Sequence, residues 1–263
     1  MAAAGRNHVK IKLCGLRREE DIRIVNEMMP EYAGFILAEG RRRTITPEKM
    51  AELSAGLDRR IQKVAVFLDQ DPDWICWLAD QGLMDVIQLH GSESDDVIRM
   101  IRARTGKIVI KAITDEKPVK TGTSGRGVFA QEAKEVPETF DKTGKQAADP
   151  ADRARSCPAD LILLDHGGGG SGMTIDWTLT GRIRRDLILA GGLTPGNVRE
   201  AIEKTHPMAV DVSSGVETDF VKDMEKVRRF VHEVRSQIPF ESASPSGRSS
   251  FDYGIGIRTD IVR

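Results

Sequence analysis

The sequence holds no apolar run near the roughly 18 residues that a membrane-spanning helix needs. Its opening, MAAAGRNHVKIKL, has no stretch of signal-peptide length. Both absences are expected of a cytoplasmic protein that does not engage a membrane. Cysteine is scarce. Cys14, Cys76 and Cys157 are odd in number, far apart and in no C-x-x-C pair, which argues against a disulfide framework and against a zinc site. Net charge is also missing: 39 Lys and Arg face 40 Asp and Glu, a formal balance of −1. A basic surface that would point to nucleic acid is therefore not indicated. The one glycine-dense run, 167–172 (GGGGSG), lacks a following G-K-[ST] and is not a P-loop.

What the sequence does have is a repeating pattern. β-branched, apolar runs occur at 8–13 (HVKIKL), 32–37 (YAGFIL), 63–68 (KVAVFL), 85–89 (DVIQL), 107–113 (KIVIKAI), 160–164 (DLILL), 186–190 (DLILA) and 208–212 (MAVDV). Most are followed by apolar residues at helical spacing, as with Ile22, Val25 and Met29, or Met50, Leu53 and Leu57. Cap-then-proline pairs at Thr46-Pro47 and Asp71-Pro72 mark helix starts. Further helices are expected at 93–104, 195–204 and 222–237. The strands are continuous apolar runs rather than alternating ones, as in a parallel sheet covered on both faces. Eight such units in 263 residues match a closed barrel, which typically needs about 250. An open doubly wound sheet is the competing arrangement.

Two segments exceed a minimal barrel. Residues 114–158 are too long for one crossover, with short helices expected at 129–136 and 150–157. This stretch is either a passive surface insertion or a lid. Residues 238–263 open on a Ser/Gly/Pro-rich stretch and are expected to form a disordered tail.

In a β/α barrel, residues at the C-terminal strand ends face the active site. Cys14 ends the first strand and Asp165 the sixth. The first is either an inert buried thiol or a reactive one favoured by a nearby cation. The second is either a loop-capping carboxylate or a general acid. Glycine-bearing turns follow the last three strands, at 167–172, Gly191-Gly192 and Ser213-Ser214-Gly215. Together they suggest a phosphate site, because glycines let backbone N–H groups approach an anion closely. Arg41, Arg42 and Arg43 follow the second strand, either as a solvated run or as a source of one carboxylate-binding or thiolate-favouring cation. His90 is expected mainly to support its loop, and Asp176 and Trp177 to anchor the start of the sixth helix.

KIKLCG, GFILAEGRRRTITPE, VAVFL, VIQLHG, LILLD with GGGGSG and IDW, LAGGLTPGNV, and VDVSSGVE with KD, taken in order, resemble the phosphoribosylanthranilate isomerases. The resemblance implies a single (β/α)8 TIM barrel over 8–237, with a long insertion after strand 5 and a C-terminal tail. It implies an aminoaldose-to-aminoketose isomerase of tryptophan biosynthesis, working on a small phosphorylated substrate with no metal or organic cofactor, as a monomer or homodimer. By position, Cys14 would be the base and Asp165 the acid. Arg43, Gln88 and Asp211 would contact substrate. Gly170, Gly172, Gly191, Gly192, Ser214 and Gly215 would hold phosphate. Arg41 stands where the family usually has serine. The related isomerases of histidine biosynthesis pair two aspartates, so the cysteine favours the anthranilate branch.

Overall fold

A computed structural model of the chain describes residues 8–114, 149–165, 177–183 and 185–236. Eight strands carry the fold: β1 (Lys10–Cys14), β2 (Tyr32–Ile36), β3 (Gln62–Phe67), β4 (Val86–Leu89), β5 (Ile108–Thr114), β6 (Leu161–Asp165), β7 (Leu187–Leu189) and β8 (Ala209–Val212). They pair in parallel in chain order, and β8 returns to β1 through Lys10↔Ala209 to Leu13↔Val212. That last pairing closes the barrel and excludes the open sheet. The apolar runs are continuous because both faces are buried. Val64, Val86, Ile110, Leu163 and Ile188 fill the barrel axis, while Ala65, Ile87, Val109, Ile162 and Leu189 meet the surrounding helices.

The helices are α1 (Glu19–Met28), α2 (Pro47–Ala55), α3 (Pro72–Asp80), α4 (Asp95–Thr105), α5 (Pro150–Ser156), α6 (Val198–Thr205) and α7 (Met224–Arg235). Thr46 caps α2 by accepting from Lys49 N, and Asp71 caps α3 by accepting from Asp73 N and Trp74 N. Three helices start later than the pattern predicts, each because a polar side chain is used elsewhere. Ser94, not Glu93, caps α4, since Glu93 turns inward. Asn197 accepts from Thr194 N and donates to Gly192 O, so 194–197 is a turn and α6 begins at Val198. Lys222 closes a small hairpin of β9 (Glu217–Thr218) and β10 (Val221–Lys222), and Asp223 then caps α7. Where a sixth helix was expected to start, Trp177–Arg182 form a 3-10 turn. Its threonines and glycine are weak α-helix formers. Asp176 lies outside the described residues.

β5 ends at the rim with Thr114, and α5 is the described helix between β5 and β6. The helix expected at 150–157 is therefore present. The one expected at 129–136 and the tail at 238–263 lie outside the described residues.

Lys111 links fold to site. It points outward from β5 and is nearly fully buried. Its Nζ donates to Glu93 Oε2 at 2.9 Å and to Gly91 O at 2.6 Å, while Glu93 accepts from Gly91 N and Asp69 N. One buried pair thus ties the loops after β3 and β4 to β5. Removing one member of such a pair strands the other charge. Lys111→Ala should cost about 3–5 kcal/mol of unfolding free energy, read from the midpoint of urea denaturation. An unshifted midpoint would show that the pair pins nothing.

Candidate active site

Side chains two apart on a strand share a face, so Lys12 and Cys14 both point into the barrel from β1. Lys12 is fully buried, and its Nζ donates to Asp211 Oδ1 on β8 at 3.0 Å. The Cys14 thiol lies beside it on the same face, and the two act on each other electrostatically. Gly34 on β2 leaves room for both. A methyl group there would sit 2.8 Å from Cys14 Sγ and 3.1 Å from Lys12 Nζ.

Burial pushes the Cys14 thiol above the ordinary cysteine value. The Lys12 ammonium works against that, and Asp211 adds to it. Burial also works to strip Lys12 of its charge, but Asp211 and Cys14 outweigh it, and the ammonium is held above the usual lysine range. The cation that favours a thiolate is therefore chiefly Lys12 in the barrel, not the arginine run. Sequence reasoning passed over it, although a lysine in an inward position of an apolar strand is itself a signal.

Asp165 ends β6 and is partly buried. His90 Nε2 lies 3.3 Å from its Oδ2. Gln88 Nε2 is 3.0 Å from His90 Nδ1. A donating Gln88 amide leaves the ring hydrogen on Nε2, facing Asp165. His90 thus reaches Asp165 beyond its own loop. Gln88 Oε1 and Ser213 Oγ are buried without a hydrogen-bond partner among the described residues, and both side chains border the same cavity.

That cavity, of about 1060 Å³, opens at the C-terminal end of the barrel. Cys14 and Asp165 both line it, from β1 and β6, together with Arg43, Gln88, Asp211, Gly191, Gly192, Ser214 and Gly215. Gly191 and Gly192 have φ of 86° and 62°, in the left-handed region that glycine adopts freely. At Gly215 a Cβ would meet Leu193 O at 1.8 Å, so the turns after β7 and β8 pack backbone to backbone. Gly170 and Gly172 lie outside the described residues.

Arg43 is less free than expected. Its Nε and Nη2 donate to Glu217 Oε1 and Oε2 at 2.8 and 2.6 Å. Lys222 Nζ donates to Glu217 Oε1 and to Ser213 O, both at 2.8 Å. Burial pushes the Glu217 carboxyl up, yet Arg43 and Lys222 together hold it below the usual range. This cluster locks the loop after β2 to the one after β8. Neither Glu217 nor Lys222 was singled out in the sequence.

A closed parallel barrel with a thiol, a carboxyl and the glycine turns of its last two strands around one cavity defines a class: phosphate-handling β/α-barrel enzymes with acid–base chemistry at the rim. Comparison narrows the class. The family model for N-(5'phosphoribosyl)anthranilate (PRA) isomerase matches residues 11–128 and 129–233. The chain is 36% identical over 232 residues to an N-(5'-phosphoribosyl)anthranilate isomerase of Acetivibrio thermocellus, covering 86% of this chain and 95% of that one. It is 35% identical over 235 residues to the Clostridium acetobutylicum protein of the same name, at 86% and 98% coverage. Among solved structures, phosphoribosyl anthranilate isomerase from Thermotoga maritima superposes with a TM-score of 0.67 at 31% identity, over 87% of this chain and 99% of that one. A phosphoribosyl anthranilate isomerase in complex with reduced 1-(o-carboxyphenylamino)-1-deoxyribulose 5-phosphate gives 0.66 at 30%, with the same coverage. The chain belongs to the N-(5'-phosphoribosyl)anthranilate isomerase family.

Lys12→Met should move the pH dependence of Cys14 alkylation to higher pH, because the thiolate loses its neighbouring ammonium. At neutral pH the rate should drop about tenfold for each unit the thiol rises. Site-resolved mass spectrometry checks this. An unmoved profile would mean that Lys12 does not act on the thiol.

Proposed function

We propose that this chain catalyses the Amadori rearrangement of N-(5-phosphoribosyl)anthranilate to 1-(2-carboxyphenylamino)-1-deoxyribulose 5-phosphate, in the cytoplasm, with Asp165 as general acid and Cys14 as general base. The observation that carries this reading is that Cys14 and Asp165, from β1 and β6, face one cavity.

The residue types suit the chemistry. Asp165 protonates the furanose ring oxygen, the C1–O bond breaks, and the nitrogen lone pair forms a C1=N iminium. The Cys14 thiolate then removes the proton on C2, and that electron pair moves into C1=N to give an enolamine. Tautomerisation yields the ketone. The iminium is itself the electron sink, so the amino-acid side chains suffice. Lys12 lowers the cost of forming the thiolate in a buried place. His90, oriented by Gln88, holds the Asp165 carboxyl.

The remaining assignments follow the cavity wall. The turns at Gly191-Gly192 and Ser214-Gly215 take the phosphate through backbone N–H groups, with Gly170 and Gly172 assigned to the same role. Anchoring the phosphate fixes the sugar between acid and base. Gln88, Asp211 and Arg43 contact the substrate. Asp211 does so while its Oδ1 holds Lys12, and Arg43 while Glu217 holds two of its N–H groups.

General acid and base steps typically contribute about 10²–10⁴-fold each. Cys14→Ala and Asp165→Asn should each lower kcat by that order while circular dichroism stays native. A fluorescence assay on substrate made in situ is the measurement. Near-normal turnover in either variant would remove that residue's role.

A further inference from the structure

In the rearrangement proposed above, Asp165 gives its proton to the ring oxygen and Cys14 takes one from C2. Tautomerisation then adds one proton to the product and removes one. Each turnover therefore leaves both groups in the wrong protonation state. The thiol must release a proton to solvent, and the carboxylate must recover one. Cys14 has the Lys12 ammonium beside it to favour the thiolate. Asp165 needs a donor, and hydronium is scarce near neutral pH. Imidazole is the side chain best suited to take up and release protons there.

One imidazole is in place. His90 Nε2 lies 3.3 Å from Asp165 Oδ2, and the two side chains are 25% and 14% exposed where they border the same cavity. The backbone under the ring is fixed, since His90 N donates to Phe67 O at 2.8 Å. Gln88 Nε2 holds the far nitrogen, 3.0 Å from His90 Nδ1, while Gln88 Oε1 is buried without a hydrogen-bond partner among the described residues. A half-turn of that amide exchanges donor for acceptor at the same point. With the amide nitrogen toward the ring, the ring hydrogen sits on Nε2 and is donated to a carboxylate. With the amide oxygen toward the ring, the hydrogen sits on Nδ1, and Nε2 is left to accept. The ionised and protonated forms of Asp165 are thus each matched by one orientation of Gln88, and the second orientation uses the oxygen that is now unpaired.

We propose that His90 returns a proton to Asp165 in every turnover. With Gln88 Oε1 toward the ring, His90 Nε2 takes a proton from solvent in the cavity, and Oε1 accepts from Nδ1–H of the imidazolium. The Nε2–H bond then breaks, its electron pair stays on nitrogen, and the proton forms the O–H bond of Asp165. The ring is neutral again. One proton enters from solvent at His90 and one leaves to solvent from Cys14, so the cycle balances. His90 is a positioning residue that acts through Asp165. This role rests on the isomerase reading.

The test uses the full chain and the variants His90→Ala and His90→Gln, with turnover of phosphoribosylanthranilate made in situ, thermal unfolding, and the solvent deuterium isotope effect on kcat. Glutamine can still donate a hydrogen bond to Asp165 but cannot pass a proton on. Both variants should lower kcat about 10²-fold, the lower end for a proton-transfer group, with KM within a few-fold of wild type and Tm little changed. Added imidazole should raise kcat of His90→Ala with rising concentration and leave wild type unaffected. The isotope effect should grow in both variants, because proton return then limits the rate. A purely structural histidine would give His90→Gln near-normal kcat and no response of His90→Ala to imidazole, and either result would overturn the relay. Should His90→Ala fail to fold, His90→Gln decides: a lowered kcat with an enlarged isotope effect upholds the relay, and anything less overturns it. Normal turnover in the variants would sink the relay and leave the isomerase reading intact. A wild type without turnover would sink the isomerase reading and the relay with it.

Discussion

Lys12 sits where its neighbours along the barrel axis are aliphatic, and it keeps a charge there because Asp211 lies 3.0 Å away on β8. Both members of the pair face inward, at the register Lys12↔Asp211 through which β8 closes on β1. Removing either one would strand a buried charge, a loss of about 3–5 kcal/mol. One contact therefore ties the closing seam of the barrel to the placement of the Cys14 thiol. The same ammonium stabilises the thiolate form of Cys14, which burial alone would suppress. A thiol that is shielded from water and still able to ionise needs such a fixed counter-charge, because water cannot supply one.

Two further buried cations repeat this logic at the rim. Lys111 and Glu93 join the loops after β3 and β4 to β5, and Lys222, Glu217 and Arg43 join the loops after β2 and β8. Loops are the natural home of catalytic groups and also the most variable part of a fold. Fastening them by charge pairs with little solvent contact gives His90, Arg42 and Ser213 positions nearly as fixed as those on strands. The aliphatic interior of the barrel does not reach these loops, so packing alone would not hold them.

Much of this was legible in the residues. Strand order, parallel pairing and the cap-proline helix starts followed from local pattern, because each strand is buried on both faces and each cap acts within a few residues. Cys14 and Asp165 were legible because each ends an apolar run. What escaped was carried by partners distant in sequence. Lys12 gains meaning only from Asp211, 199 positions away, and Glu217 only from Arg43, 174 positions away. The delayed starts of α4 and α6 escaped for the same reason, since Glu93 and Asn197 are recruited by loops rather than by the helices they precede.

Cys14 and Asp165 sit in different polar surroundings. Around Cys14 the polar groups are matched, with ammonium to carboxylate and thiol to ammonium. Elsewhere on the wall two are not: Gln88 uses its amide nitrogen on His90, beside Asp165, and leaves its oxygen buried without a partner, and Ser213 Oγ, near Gly15, is in the same state. A buried polar group left unpaired typically costs about 1–3 kcal/mol. Both side chains border the cavity, and the two unpaired oxygens are covered just behind its wall. A barrel retained only as a scaffold would gain nothing from that cost, nor would a lone redox thiol. The unpaired pair among the described residues thus marks the cavity wall as a functional surface on grounds that do not depend on Cys14 or Asp165.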